Sequence, residues 1–420
     1  MRARRPGNAS TASTSCGPPS TDAGGARARA PSPRPRLFGP GRCPRMPPMR
    51  AIVLVGGEGT RLRPLTWRTP KQLVPVVNRP LIEHLLSHLC RHGVRHVTLA
   101  MTQRGESIRT ALGDGAALGV ELDYAYEETP LGSGGAIARV GRGWRHRGTP
   151  ASEPFLVLNG DILTDLDVGA MAAAHRARGA ELSIGLVRVD DPSSFGVAVL
   201  QGAAAGGRPE GAAFIERFVE KPPAASAPSH WANAGIWIFE PALLDEMDAD
   251  RFHRVEEELF PSLADAGRSL LGVVHGGYWR DVGTPSSYLG ANLDLVSAGA
   301  SGSGELRTDP GGGDRVLVGS GSQLGEGALV RGPAVLGPDC SVASGAVVTR
   351  SVLWEGVHVA EGARVAGSIL ASRVVVEPGA SIDGAVIAHG ARVPAGATVS
   401  PGTTIEPGAT APGPERSGGG

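Results

Sequence analysis

Ala51-Ile-Val-Leu-Val-Gly-Gly-Glu-Gly-Thr-Arg-Leu-Arg-Pro-Leu-Thr66 is an apolar run that ends in three closely spaced glycines and two arginines. A short apolar run bounded by glycine reads as a buried strand. Glycines let the backbone beyond it turn tightly and bring its N–H groups against phosphate oxygens. Arg61, and Lys71 in Pro70-Lys-Gln-Leu73, add the cations that a triphosphate requires. A kinase-type P-loop carries Gly-Lys followed by Ser or Thr, which this stretch lacks. By itself a glycine triplet beside two cations is equally well explained as a surface turn, so its surroundings decide.

From Met49 to Ser297 apolar runs alternate with helical segments: Ala51 to Val55, Val97 to Met101 and Phe155 to Leu158 are separated by stretches such as Pro80 to Arg91 and Val168 to Arg178. Such alternation predicts an α/β domain with a parallel sheet covered by helices. Ligands of such sheets bind beyond the carboxyl ends of the strands, which singles out the loops after Val55, Tyr126 and Leu158.

Residues 298–313 are rich in Gly and Ser and read as a linker. Beyond them Ser351-Val-Leu-Trp, Ser368-Ile-Leu-Ala and Ala385-Val-Ile-Ala recur seventeen residues apart, with an earlier copy at Ala334-Val-Leu-Gly. Within the copies apolar residues return every sixth position, as at Val318, Leu324, Val330, Leu336, Val342 and Val348. Three hexapeptides make one triangular coil of about eighteen residues with an aliphatic residue pointing inward from each face, which predicts a left-handed parallel β-helix over residues 314–408. Residues 409–420 read as a disordered tail.

The charge balance of 41 Lys plus Arg against 41 Asp plus Glu gives no global field toward nucleic acid or an anionic membrane. Cys16, Cys43, Cys90 and Cys340 have neither metal-ligand spacing nor a disulfide pattern, so reduced thiols in a cytoplasmic protein are expected. Residues 1–48 hold nine Arg against one acid, Asp22, among Pro, Ser, Gly and Ala. A disordered leader is expected there, from a misassigned start in preference to a transit peptide.

The glycine string with Pro70-Lys-Gln-Leu73 resembles the signature of sugar-1-phosphate nucleotidyltransferases, the sugar-nucleotide pyrophosphorylases. Four further segments match that family in order: Glu128-Thr-Pro-Leu-Gly-Ser-Gly-Gly-Ala136; Leu158-Asn-Gly-Asp161; Phe218-Val-Glu-Lys-Pro222 with Asn233-Ala-Gly-Ile236; and Tyr278-Trp-Arg-Asp-Val-Gly-Thr-Pro285. Val255-Glu-Glu-Glu-Leu-Phe-Pro261 and the β-helix resemble the mannose-1-phosphate guanylyltransferase branch, whereas Pro70-Lys-Gln-Leu73 is a form common among thymidylyltransferases. The resemblance implies a Rossmann-like α/β nucleotidyltransferase domain with a mixed, mainly parallel sheet, and transfer of a nucleotidyl group to a sugar 1-phosphate with release of pyrophosphate. GTP and mannose 1-phosphate are preferred to the uridylyl and thymidylyl alternatives for glucose 1-phosphate.

It also implies roles. Leu54, Gly56, Gly57, Gly59, Thr60 and Gly132 would line the nucleotide site; Arg61 would hold the leaving pyrophosphate end and Lys71 the transferring phosphate. Asp161 and Asp281 would bind Mg2+, and Glu220, Lys221 and Asn233 the sugar phosphate. A phosphate monoester is already an anionic nucleophile, so the reaction requires in-line positioning and charge neutralisation and no general base. Retention of Arg61, Lys71, Asp161, Lys221 and Asp281 argues against a non-catalytic scaffold of the same architecture. His358 and His389 lie within the repeats, where hexapeptide acyltransferases place a histidine, but exposed positions on a coil explain them adequately. The expectation is a homo-oligomer assembled by the β-helix, with catalysis confined to the 49–297 domain.

Overall fold

Four apolar residues, Ala51–Leu54, form the strand around which the catalytic half is built. In the computed structural model, which describes residues 49–102, 105–146, 153–202, 211–309 and 313–413, this strand is third in a nine-stranded sheet. It pairs in parallel with His96–Thr102 on one side and Phe155–Asn159 on the other. Glu121–Glu127 extends the parallel run at the edge. The chain therefore reverses direction across the sheet at Ala51–Leu54, and a crevice opens beyond the carboxyl ends at such a switch point.

The sheet is mixed because Trp231–Phe239 returns antiparallel between Phe155–Asn159 and Leu182–Arg188. A register shift falls between Asn233 and Trp237, where Gly235 adopts φ 71. Leu270–His275 then pairs in parallel with Leu182–Arg188, and Ala212–Val219 and Val197–Leu200 close the antiparallel edge. Helices cover the sheet for local reasons. Leu81–Arg91 places Leu81, Ile82, Leu85, Leu86 and Leu89 on one buried face at helical spacing. Asp167 caps Val168–Ala177 by accepting the Ala170 N–H at 2.9 Å, and Thr284 caps Pro285–Ser297 through the Ser287 N–H, with Pro285 in the first turn.

The repeat region folds as expected into three parallel sheets, a left-handed β-helix. The seventeen-residue spacing is the coil itself: Val335 stacks on Val352, Val342 on Val359 and Val348 on Val365. Ser351 Oγ accepts the Ser368 N–H, and Ser368 Oγ accepts the Ala385 N–H, so the recurring serine forms an internal ladder. Two readings change at the ends of this region. The stretch read as a linker contains the strand Glu305–Thr308, which pairs antiparallel with Arg315–Val318 because that first-coil strand would otherwise expose an edge. The stretch read as a tail continues the coil as far as Ala411, which is buried and donates its N–H to Arg392 O. The 1–48 leader and residues 414–420 lie outside the described residues.

One buried cluster joins the two halves. Leu62, Leu65, Val74, Val76, Tyr288 and Leu295 pack with Leu317, Val335, Val352, Trp354 and Ile369 of the β-helix. Tyr288 and Trp354 meet edge-on with ring centroids 6.2 Å apart, and Trp354 Nε1–H donates to the Tyr288 hydroxyl at 2.8 Å. Burial of each such ring contributes ~1.5–3 kcal/mol, so the halves share one core.

Candidate active site

A cavity of about 580 Å3 opens where the switch-point crevice was expected. Its walls include Leu54, Gly56, Gly57, Gly59, Thr60, Arg61, Lys71, Gly132 and Asp161, nine of the residues singled out from sequence. Gly59 is left-handed at φ 63, and a Cβ there would stand 3.0 Å from Lys71 Cβ and 3.1 Å from Thr66 Cγ2. Thr66 Oγ1 donates to Gly59 O at 2.7 Å and fastens the far side of the turn.

Asp161 and Asp281 stand 120 positions apart in the chain and are brought together by a two-stranded ribbon. Trp279–Asp281 pairs antiparallel with Ile162–Thr164, and Val282 N–H donates to Asp161 O at 2.9 Å. Lys71 reaches between the carboxylates, its Nζ 2.5 Å from Asp161 Oδ2 and 3.9 Å from Asp281 Oδ1. Arg61 Nη2 lies 3.9 Å from Asp281 Oδ2, with a side chain 62% exposed.

Burial, and then the charge of Asp161, push the Asp281 carboxyl above its ordinary value, against the pull of Lys71 and Arg61. Asp281 Oδ1 is buried without a hydrogen-bond partner. An orphaned carboxylate oxygen beside a second carboxylate fits a hard divalent cation, whose usual donors are one or two carboxylates completed by substrate phosphates and water. Among the described residues no group of three or more His, Cys, Asp or Glu could hold a metal.

The opposite wall is the loop before the helix Gly132–His146. It packs against residues 251–256: Gly134 N–H donates to His253 O at 3.0 Å, His253 N–H to Leu131 O at 3.0 Å, and Ser133 Oγ accepts the Val255 N–H. A Cβ on Gly132 would fall 2.3 Å from His253 O, so the approach requires glycine. Ser133 donates to Glu256 at 2.5 Å, and burial pushes the Glu256 carboxyl upward.

The cavity lining also includes Glu127, Phe252 and Arg254, which lie outside every motif quoted from the sequence. Glu127 is buried, with its carboxyl raised mainly by desolvation, and its Oε2 accepts the Leu131 N–H at 3.2 Å. Phe252 is 52% exposed, with the Arg254 guanidinium 5.6 Å from its ring centroid. A carboxylate ending a strand and an exposed aromatic beside Arg were the available signals.

Glu220, Lys221 and Asn233 fall outside that lining. Lys221 Nζ donates to Glu220 Oε1 at 2.5 Å, and Lys221 is left-handed at φ 46. Both side chains lie within electrostatic reach of Glu256, the acceptor of the Ser133 hydroxyl. Asn233 Oδ1 accepts both the Gly235 N–H and the Trp237 indole N–H, so its carbonyl is committed to the strand irregularity and only its NH2 can serve a ligand. His358 is exposed with Ser341 Oγ 2.6 Å from its Nδ1, whereas His389 faces the catalytic half.

Residues 50–298 match the family described as nucleotidyl transferase, and residues 325–405 the GlmU-like C-terminal hexapeptide family. The chain is 36% identical over 308 residues to the mannose-1-phosphate guanylyltransferase of Mycobacterium tuberculosis, covering 73% of this chain and 80% of that one. It is also 36% identical over 316 residues to the probable mannose-1-phosphate guanylyltransferase 2 of Arabidopsis thaliana, covering 74% and 82%. Over 312 residues it is 35% identical to the mannose-1-phosphate guanylyltransferase catalytic subunit beta of Danio rerio, covering 74% and 82%.

Proposed function

The chain belongs to the nucleotidyl transferase family, and from that membership we propose that it transfers a guanylyl group from GTP to mannose 1-phosphate, giving GDP-mannose and pyrophosphate. The observation that carries the assignment of the reacting centre is the Asp161, Lys71 and Asp281 cluster, with its orphaned Asp281 oxygen, below the glycine loop. Asp161 and Asp281 would hold Mg2+, which when bound neutralises phosphate charge. Lys71, excluded from water, stabilises charge on the transferring phosphate, and Arg61 takes the pyrophosphate end. Asp161 pairs with the Lys71 ammonium and holds it beside the proposed cation site.

Gly56, Gly57 and Gly59 line the cavity and their backbone N–H groups are assigned to the phosphates, while Glu127 in the same lining supports a guanine preference. Guanine presents N1–H and N2–H side by side, a donor pair that one carboxylate can accept, whereas uracil and thymine present a single N–H between two carbonyls. Glu220, Lys221 and the Asn233 amide are assigned to the sugar phosphate. Scattered thiols support a cytoplasmic setting, and among the described residues no helix is long and apolar enough to cross a membrane. The strand edges of the last coil support assembly into a homo-oligomer, which light scattering tests.

Exchange of labelled pyrophosphate into each nucleoside triphosphate, driven by a panel of nucleotide sugars, tests the assignment. Label should enter GTP when GDP-mannose is supplied, and only with a divalent cation. Preferential labelling of UTP or dTTP from the glucose conjugates would replace the proposed substrates, and no exchange with any pair would overturn the enzymatic assignment.

A further inference from the structure

The segment 65–78 carries Lys71 near its middle and is gripped at both ends by the β-helix. At one end His389 Nε2 lies 3.3 Å from Leu65 O and 3.3 Å from Thr69 Oγ1, contacts that span more than 300 positions of sequence. A carbonyl oxygen can only accept, so Nε2 carries the proton toward Leu65. At the other end Asn78 Nδ2 donates to Leu336 O at 2.8 Å. Between them the Tyr288 hydroxyl donates to Pro75 O while accepting from Trp354, whose ring stands edge-on to His389 at 5.1 Å.

The segment leads directly into the site. Thr66, next to Leu65, holds Gly59 O, and Gly59 lines the cavity against Lys71 Cβ. Its far end is backbone that needs external support: Val77, a β-branched residue, sits at φ 42 with its N–H held by Asn292 Oδ1 at 2.8 Å and its carbonyl by Ser303 N–H at 3.1 Å. Such conformations persist only where the surroundings over-determine them.

We propose that His389 is a positioning residue for nucleotidyl transfer, fixing the Leu65–Thr69 end of this segment and thereby the placement of Gly59 and Lys71. The β-helix is then part of the working site, in addition to any role in assembly. The inference rests on the nucleotidyl transfer reading, and its test has a readout independent of turnover.

The full chain is compared with His389→Ala, His389→Gln and His358→Ala. Kinetic constants for GTP and mannose 1-phosphate, melting temperature, and amide exchange of peptides covering residues 56–74 are measured together. Loss of one hydrogen-bonding group at the hinge of the loop should lower kcat/KM for GTP about three- to tenfold and speed exchange in 59–71. His389→Gln, which keeps an N–H donor at the position of Nε2, should restore most of both, and His358→Ala should match wild type. Wild-type kinetics and exchange in a folded His389→Ala would overturn the proposal. So would a loss that His389→Gln does not restore and His358→Ala shares, since that marks general weakening of the coil. If His389→Ala fails to fold, Thr69→Ala, which removes the second partner, takes its place with the same two outcomes. A wild-type chain that transfers no nucleotide would defeat the functional reading, and the exchange data alone would then judge the contact.

Discussion

Lys71 Nζ lies 2.5 Å from Asp161 Oδ2 in a pocket where the lysine side chain is only 7% exposed. The two aspartates flanking it are therefore unequal. Asp161 neutralises a buried cation, whereas Asp281 is held at a cost, desolvated and beside a like charge.

Asp161→Asn and Asp281→Asn should both lose most turnover, since each removes a formal charge from the proposed cation site while keeping side-chain volume. Their stabilities should diverge. Asp161→Asn leaves Lys71 without its close partner and should cost about 1–3 kcal/mol, while Asp281→Asn removes a repulsion and should leave the ligand-free protein as stable or more so. Calorimetry beside turnover assays checks this, and near-normal Mg2+-dependent activity in either variant would refute the assignment.

Arg61 lines the cavity and Lys221 falls outside its lining, so their truncations should separate. Arg61→Ala is expected to weaken catalysis through the triphosphate end, and Lys221→Ala to raise KM chiefly for the sugar phosphate. Titration with each substrate gives the allocation, and the reverse pattern would mean the two pockets are exchanged.

Glu127→Gln keeps the shape of the cavity wall but replaces an acceptor oxygen by an NH2 donor facing the base. The preference for GTP over UTP should fall about tenfold or more, a magnitude typical of a mismatched buried donor pair. An unchanged preference in competition assays would remove Glu127 from base selection.

Burial holds the imidazole of His84 down at about 4 and that of His88 at about 3, while each donates Nε2–H to a carbonyl, Val76 O and Leu166 O. Their folded values lie below the unfolded 6.5, so the unfolded chain binds more protons between pH 6.5 and the folded values, and stability should fall as pH falls through that window. Each group contributes up to ~1.4 kcal/mol per pH unit there. Melting temperature measured from pH 7 to pH 4 should decline, and His84→Gln should flatten the slope; a flat wild-type profile would contradict the burial argument.

The features legible in the sequence were those whose cause is local. Glycines after an apolar run announce a turn because they adopt an angle such as φ 63 at Gly59 without steric cost, and the seventeen-residue offset announces a coil because each residue stacks on its own repeat. The motif strings likewise located nine cavity residues, since a strand and the loop that follows it travel together. The rest required the tertiary structure. Nothing near Asp281 in the chain says that its strand pairs with Ile162–Thr164, nothing near Glu127 says that residues 251–256 close the cavity beside it, and a glycine- and serine-rich composition concealed the strand at Glu305–Thr308. The reading of the β-helix as assembly apparatus alone missed its grip on the Lys71 segment for the same reason: hydrogen bonds from His389 to Leu65 and from Asn78 to Leu336 depend on the junction of two separately folded surfaces, and such contacts leave no period, spacing or composition along the chain.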